Sequence, residues 1–362
     1  MKFLFIVQGE GRGHLTQAIS LKNILENAGH SVERVLVGKS PQRKLPDFFY
    51  EKIKRKVISF DSPNFVLDKN GKGIRILKTI VYNLSIARRF FKSIALIKKE
   101  INTVKPDVVI NFYDLLAGLH SFFYKSKHWK YVCIGHQFYL LHPNFQFPKG
   151  RFADKYLLNL NTRITSLRAD LNLALSFSKQ PDVPKKKIRI IPPLLRADIF
   201  TLEPTVENYI HGYMLNSGYA DDVLKWHKEN PDETAHFFWD KQGAQETEEI
   251  SRNLFFHLIN DLKFLQYMSK CKAYISTAGF ESVCEAIYLG KPIMMIPTQG
   301  HYEQKCNAWD AFKIGAGIIA ENFDVQRLIE FIPDYKFDAK VYREWVNSGP
   351  ELFITILKEL NT

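Results

Sequence analysis

The amino-acid sequence predicts an α/β protein made of two doubly wound parallel-sheet domains. Three observations carry that expectation. Short apolar runs with strand character alternate with helix-period stretches from end to end. The 362 residues exceed what one core ordinarily supports. The alternation also breaks once, at Ile191-Pro192-Pro193-Leu194-Leu195-Arg196 and the polar stretch 201–208, and then restarts.

Strands are expected at 2–8, 31–37, 57–60, 107–112, 131–134, 171–176 and 188–191, then at 209–215, 234–239, 254–257, 273–276 and 293–296. Residues 339–360 read as one or two amphipathic helices. The expected division is a first domain at 1–200, a second at 201–338, and terminal helices at 339–362 returning toward the first.

With 46% hydrophobic and 14% aromatic residues, either half can bury a core, which argues against disorder. No stretch is long and apolar enough for a membrane span. The start Phe3-Leu4-Phe5-Ile6-Val7 is too short for a signal-peptide core and reads as a first strand, so a cytoplasmic protein is expected. Cys133, Cys271, Cys284 and Cys306 lack metal-binding spacing, so neither a disulfide nor a metal is expected. A net charge of +12 favours an anionic partner: nucleic acid, a membrane surface or a phosphorylated substrate.

The turn Gly9-Glu10-Gly11-Arg12-Gly13-His14 follows the first strand and opens a helix. Its glycines permit close approach of a ligand, and the helix start offers N–H groups to an anion. The spacing is GxGxGH rather than GxGxxG, and Gly38-Lys39 stand where a ribose-binding acid would follow the second strand. Both points disfavour a dinucleotide-dependent dehydrogenase. His14 is the candidate general base, and its alternative is a loop hydrogen bond. Asp114, at a strand's carboxyl end, either orients and charge-stabilises His14 or caps the helix starting at Leu115.

In the second half, Ser276 to Pro292 reads as a strand end, a small-residue turn and a helix closed by Gly290-Lys291-Pro292. Such a turn presents N–H groups to a diphosphate, with the Ser276, Thr277 and Ser282 hydroxyls beside them. Glu281 and Glu285 share a helix face. A carboxylate there accepts from a ribose, or else partners the helix dipole or is a surface charge. The loop Thr298 to Ala308 is dense in groups suited to sugar hydroxyls.

The stretch Ser276 to Ala308 resembles the donor-binding signature of the UDP-glycosyltransferases and of the peptidoglycan lipid-intermediate N-acetylglucosaminyltransferase. The matching elements are Gly279, the Glu285-to-Gly290 spacing, Lys291-Pro292, Pro297 and Glu303-Gln304-x-x-Asn307-Ala308. The resemblance implies two Rossmann-like domains facing a cleft (the GT-B arrangement), with residues 1–200 on the acceptor side and 201–338 holding the donor. It implies that Glu285 binds the donor ribose, that Gly279, Phe280, Glu281 and Ser282, with Thr277 and Ala278, surround the diphosphate, and that Glu303 and Gln304 meet the transferred sugar. Gly212 to Gly218, with Ser217 and Gly218, resembles the first donor-domain loop, and Leu258-Ile259-Asn260 the segment flanking the base. Gly11, Arg12 and Gly13 are similar to the acceptor-side loop. Leu194-Leu195-Arg196 is similar to a linker whose Arg reaches the diphosphate.

The sequence departs from that pattern in three ways. The donor-domain loop has few glycines, Glu303 stands where Asp is usual, and no Trp-x-Pro-Gln motif is present.

Between Lys72 and Lys99 there are eight Lys or Arg and no acid, interleaved with apolar residues at 77, 80, 81, 84, 91 and 94. This is either an interfacial helix drawn to anionic lipid, as a lipid-linked acceptor would require, or an ordinary helix with a solvated basic face. The aromatic segment 137–147 is a candidate apolar acceptor surface, and otherwise a packed loop.

The expected activity is an inverting, metal-independent glycosyl transfer from a nucleotide-sugar. His14 takes the acceptor proton, while loop N–H groups, Ser217, Ser282 and Arg196 stabilise the departing diphosphate. The alternatives are a nucleotide-sugar 2-epimerase of the same layout and a non-catalytic sugar-nucleotide-binding module. Nucleic-acid binding is disfavoured because the basic run carries no recognition motif.

Overall fold

The computed structural model describes residues 1–41, 43–64, 76–214, 217–241 and 243–360, without the side chains of residues 76, 77, 80 and 217. Two compact units emerge among them: 1–64, 76–196 and 345–360 form the first, and 197–344 the second.

In unit 1, the chain runs β1 (Lys2–Gln8), α1 (Arg12–Asn27), β2 (Ser31–Lys39), α2 (Asp47–Ile53), β3 (Val57–Asp61), α3 (Ile76–Ser85) and α4 (Ala87–Val104). It continues through β4 (Val108–Phe112), α5 (Leu115–Tyr124), β5 (Lys130–Gly135), α6 (Phe152–Thr165), β6 (Leu171–Leu175) and β7 (Ile188–Ile191). All seven strands are parallel, in the order β3-β2-β1-β4-β5-β6-β7. β1 lies inside the sheet with Phe3 to Val7 buried, as expected of an unbroken apolar run covered on both faces. The strand order reverses between β1 and β4, so residues 9–13 and 113–114 flank the switch point at one sheet edge, where such folds bind ligands.

Two sequence expectations change here. The basic stretch is not one helix, because α3 and α4 are separated at Ile86. Ile94, Ile97 and Ile101 of α4 are buried, while Val81, Leu84 and Phe91 are 68%, 69% and 72% exposed, so the apolar positions split between core and solvent. Residues 72–75 lie outside the described ones.

The aromatic segment is no open surface either. It winds through a 3-10 helix (His136–Leu141), and Phe138, Tyr139 and Phe145 are buried. Its rings pack inward: Phe145 lies edge-on to Tyr139, and Phe138 edge-on to Tyr113.

Unit 2 runs β8 (Ile210–Met214), α7 (Ala220–Glu229), β9 (Ala235–Trp239), β10 (Thr247–Ser251), β11 (Leu254–Leu258), α8 (Asp261–Lys270) and β12 (Ala273–Ser276). It continues with α9 (Phe280–Tyr288), β13 (Ile293–Met295), α10 (Tyr302–Lys313), β14 (Gly317–Ile319), α11 (Val325–Phe331) and the start of α12 (Ala339–Asn347). The boundary back to unit 1 falls within α12, and α13 (Gly349–Glu359) follows it. There Trp345 donates its indole N–H to Ser176 O at 3.0 Å, and Arg189 pairs with Glu359 at 2.9 Å.

The unit 2 sheet has the order β10-β11-β9-β8-β12-β13-β14, with only β10 antiparallel. It reverses between β8 and β12, which again sets two loops, after Met214 and after Ser276, beside a switch point. Gly212 belongs to β8 rather than to a ligand loop: a Cβ there would collide with the Phe237 ring.

Candidate functional site

The unit 1 edge is built by the first glycine turn. Gly9 packs against Val37 and donates to Gly38 O at 2.7 Å, leaving no room for a side chain. Around Gly11, by contrast, nothing described lies within 4 Å of where a Cβ would stand. Gly11 is also the N-cap of α1 and supplies no side-chain cap, so the helix start keeps its preference for an anion. The Arg12 guanidinium lies 5.1 Å from the centre of the Phe48 ring. Glu10 clips the turn to its neighbours, accepting from Ser40 N and, at 2.6 Å, from Asn64 Nδ2.

His14 sits in the first turn of α1. Its Nδ1 is 3.0 Å from Gln17 Oε1, and its Nε2 is 3.5 Å from Gln137 Nε2. Tyr113 stacks on the imidazole with ring centres 5.9 Å apart. That tyrosine has φ 63°, a left-handed conformation that costs roughly 1 kcal/mol or more in a residue with a Cβ. Its hydroxyl bonds to Thr162 Oγ1 at 2.7 Å and accepts from Asn161 Nδ2 at 3.1 Å, which anchors the ring against His14.

Asp114 takes the helix-capping alternative. Its Oδ1 accepts from Leu116 N at 2.9 Å and Ala117 N at 3.2 Å, and its Oδ2 accepts from Ser62 Oγ at 2.7 Å. None of its hydrogen bonds goes to His14, so the expected orienting contact is absent among the described residues. The group against Nδ1 is Gln17. Burial pushes the Asp114 carboxyl up to about 6, while its Ser62, Ala117 and Leu116 hydrogen bonds pull the other way. The role of Gly38 follows: a Cβ there would overlap Asp114 Oδ2.

The unit 2 edge holds the second turn. Gly279 is the N-cap of α9 and, like Gly11 in α1, supplies no side-chain cap. Ala278 before it has φ 41°, and Asn307 Nδ2 donates to the Ala278 carbonyl at 3.2 Å. Thr277 is buried beneath the turn. Ser282 Oγ donates to Gly279 O at 3.3 Å, so in this arrangement its proton serves the turn itself.

Glu281 and Glu285 follow Phe280 on α9, both buried, Glu285 to 2% exposure. Such burial is inconsistent with reading Glu285 as a surface charge. Burial above all, and then these two carboxylates, push the nearby Cys284 thiol and Tyr342 hydroxyl up. Tyr274 Oη and Ser276 Oγ are buried without a hydrogen-bond partner among the described residues. Lys291 closes the helix from below, its buried ammonium donating to Thr205 O and, at 2.9 Å, to Cys271 O.

Gln304 holds the next loop, accepting from Thr298 N at 2.7 Å, while His301 caps α10 by accepting from Gln304 N at 3.4 Å. Glu303 is half-buried in that first turn, and Thr298 Oγ1 is buried with no hydrogen-bond partner among the described residues. Ile259 follows β11, with its N–H on Trp239 O at 2.9 Å, and Asn260 caps α8. Gly218 lies in a 3-10 turn after β8 (Ser217–Tyr219); the Ser217 side chain falls outside the described atoms. Arg196 is half-buried at the end of unit 1. Because the strands bearing these loops are parallel, Gly218, Ile259, Thr277 to Ser282 and Glu303-Gln304 all sit at the carboxyl edge of the unit 2 sheet.

The sequence model of glycosyl transferase family 1 matches residues 1–335, nearly the whole chain. The chain belongs to glycosyl transferase family 1.

The protein is thus a glycosyltransferase, and its neighbours among solved structures share its two-domain α/β fold. The glycotransferase of kitacinnamycin superposes with a TM-score of 0.64 at 16% identity, covering 99% of this chain and 98% of that one. Phytolacca americana UGT2, solved with UDP-2-fluoro-glucose and pterostilbene, gives 0.62 at 12% identity over 100% of both chains. The spinosyn rhamnosyltransferase, solved with thymidine diphosphate, gives 0.60 at 14% identity over 99% of this chain and 100% of that one. No curated protein matches the glycosyltransferase by sequence. No described helix is long and apolar enough to cross a membrane.

Sequence reasoning did not single out Gln17, Gln137 or Tyr113, and it marked Asn307 only as part of a motif. Gln17 was within reach, lying three residues after His14 on a helix, where side chains meet. Gln137 was not, because only the β1–β4–β5 order brings it to His14.

Proposed function

We propose that this chain is an inverting glycosyltransferase that moves a sugar from a nucleoside-diphosphate sugar, a UDP-sugar foremost, to an acceptor hydroxyl without a metal ion. Residues 1–200 serve the acceptor and 201–338 the donor. The observation that carries the reading is an imidazole anchored through Nδ1 beside an open glycine turn, with Nε2 as the nitrogen that takes the proton.

In the reaction, His14 Nε2 accepts the acceptor O–H proton. The oxygen attacks the anomeric carbon, the bond from that carbon to the diphosphate breaks, and single displacement inverts the centre. The start of α9, at Gly279 to Ser282 with Thr277 and Ala278, receives the diphosphate charge, helped by Ser217, Gly218 and Arg196. Glu285 accepts from the ribose, Ile259 flanks the base, and Glu303 and Gln304 contact the transferred sugar. Gly11, Arg12 and Gly13 border the acceptor. The nucleoside diphosphates in the neighbours support this donor class.

A thermal-shift panel of nucleotides followed by turnover assays tests the reading. UDP raises the melting temperature, Glu285→Ala loses that rise while still folding, and His14→Ala keeps it but turns over roughly a hundredfold more slowly. No stabilisation by any nucleotide, or an epimerised sugar formed without acceptor, overturns it.

The acceptor is lipid-linked and met at an anionic membrane surface by the cytoplasmic protein. Support comes from the exposed Lys78, Arg88, Arg89 and Lys92 standing among the exposed Val81, Leu84 and Phe91.

A further inference from the structure

We infer that Gln17 is the positioning residue of the transfer reaction, its amide oxygen doing for His14 what a carboxylate would otherwise do. The inference rests on the reading of His14 as the base.

Gln17 Oε1 lies 3.0 Å from His14 Nδ1, and the glutamine is only 3% exposed, so water competes little for this bond. An amide oxygen can only accept. Nδ1 therefore carries the imidazole proton and Nε2 keeps its lone pair, the tautomer a base needs. The second contact agrees: the Gln137 amide nitrogen, a donor, approaches Nε2 at 3.5 Å. Flipping Gln17 alone would put an N–H donor against each ring nitrogen, so the ring's single N–H, then on Nε2, would face the Gln137 amide donor. Only a flip of both glutamines together reverses the tautomer, which makes the protonated nitrogen the quantity to measure.

The ring plane is fixed separately, by Tyr113 stacking at 5.9 Å with its hydroxyl tied to Thr162. The nearby carboxylate does not compete for the role. Both oxygens of Asp114 are engaged by Ser62 and by the α5 start, in a position Gly38 keeps clear.

An amide in place of a carboxylate has a chemical consequence. It holds the tautomer but adds no negative charge to favour the imidazolium formed during transfer. Such a base stays neutral to lower pH than a carboxylate-backed one, and it gains less when it accepts the proton. Introducing a charge at this point therefore moves a titration rather than merely disturbing packing.

The experiment is an imidazole nitrogen NMR titration of the full chain, paired with UDP release from UDP-glucose and with UDP thermal shifts as the folding control. Wild type shows neutral His14 protonated at Nδ1. Gln17→Glu raises the His14 titration midpoint by about one unit or more, and moves the acid limb of kcat/KM with it. Gln17→Leu, which packs in the same volume without a buried charge, loses the tautomer preference and about tenfold in kcat while its UDP shift is kept. A wild-type ring protonated at Nε2, or a midpoint unmoved by Gln17→Glu in a folded protein, overturns the inference. His14→Ala separates the two readings: undiminished UDP release there removes the base, whatever the tautomer.

Discussion

At the scale of single residues, a candidate's type was easier to read than its partner. Asp114 was legible as important because it ends an apolar strand, but both a capping and an orienting role suited that position equally. Only the placement of Ser62 and of the α5 N–H groups assigns the carboxylate to capping. The assignment has a pH signature. Burial raises its pKa from 3.8 to about 6, so ionisation penalises the folded state progressively between those values and fully above them. Two units correspond to about 3 kcal/mol. Asp114→Asn keeps a capping oxygen and removes the charge, so the variant gains on wild type between pH 4 and pH 7 by up to about 3 kcal/mol. Urea unfolding at pH 4, 5.5 and 7 measures this, and a gap that does not widen with pH shows that the carboxylate is not penalised by burial.

At the scale of elements, the turn from β12 into α9 depends on a residue far away in sequence. Ala278 adopts a left-handed conformation, and the Asn307 side chain of α10 pins its carbonyl at 3.2 Å. The resemblance marked Asn307 as part of a motif but left it without a task; the fold supplies one. Removing the amide leaves a buried carbonyl without that partner, at a cost of about 1–3 kcal/mol. Asn307→Ala is therefore expected to lower the melting temperature and to shrink the UDP-induced shift by more than the stability loss alone explains. A variant with a lowered melting temperature but a full UDP shift would show that the turn's geometry does not depend on this bond.

The same scale shows what periodicity misses. β10 is Thr-Glu-Glu-Ile-Ser, largely exposed at a sheet edge, and β14 has three residues, so neither carries the apolar run that reveals a buried strand. The break at Ile86 was hidden for the opposite reason. Apolar residues continue across it and mimic one stripe.

At the scale of the whole molecule, both units are doubly wound sheets whose candidate loops gather at the switch point, which is why residues from 9 to 304 can serve two compact edges. The +12 charge bears on the proposed membrane contact. Each basic residue near an anionic surface contributes about 1 kcal/mol, so three or four give measurable, salt-sensitive binding. Vesicle sedimentation should show the protein on anionic but not neutral liposomes, released by about 0.5 M salt, and weakened by the Arg88→Glu, Arg89→Glu and Lys92→Glu variant. Wild type that ignores anionic liposomes at low salt makes the stretch a solvated face and the acceptor water-soluble.

By itself the sequence determined the two-domain α/β class, most strands, the glycosyltransferase resemblance and the position of both glycine turns at strand ends. These follow from local apolar runs, from Gly and Pro punctuation and from spacing, all of which act between chain neighbours. Tertiary structure decided who touches whom: Gln17 rather than Asp114 against His14, Asn307 beneath Ala278, and the aromatic segment packed inward rather than open. Such choices depend on strand order and on which buried group finds a hydrogen-bond partner, and a linear pattern carries neither.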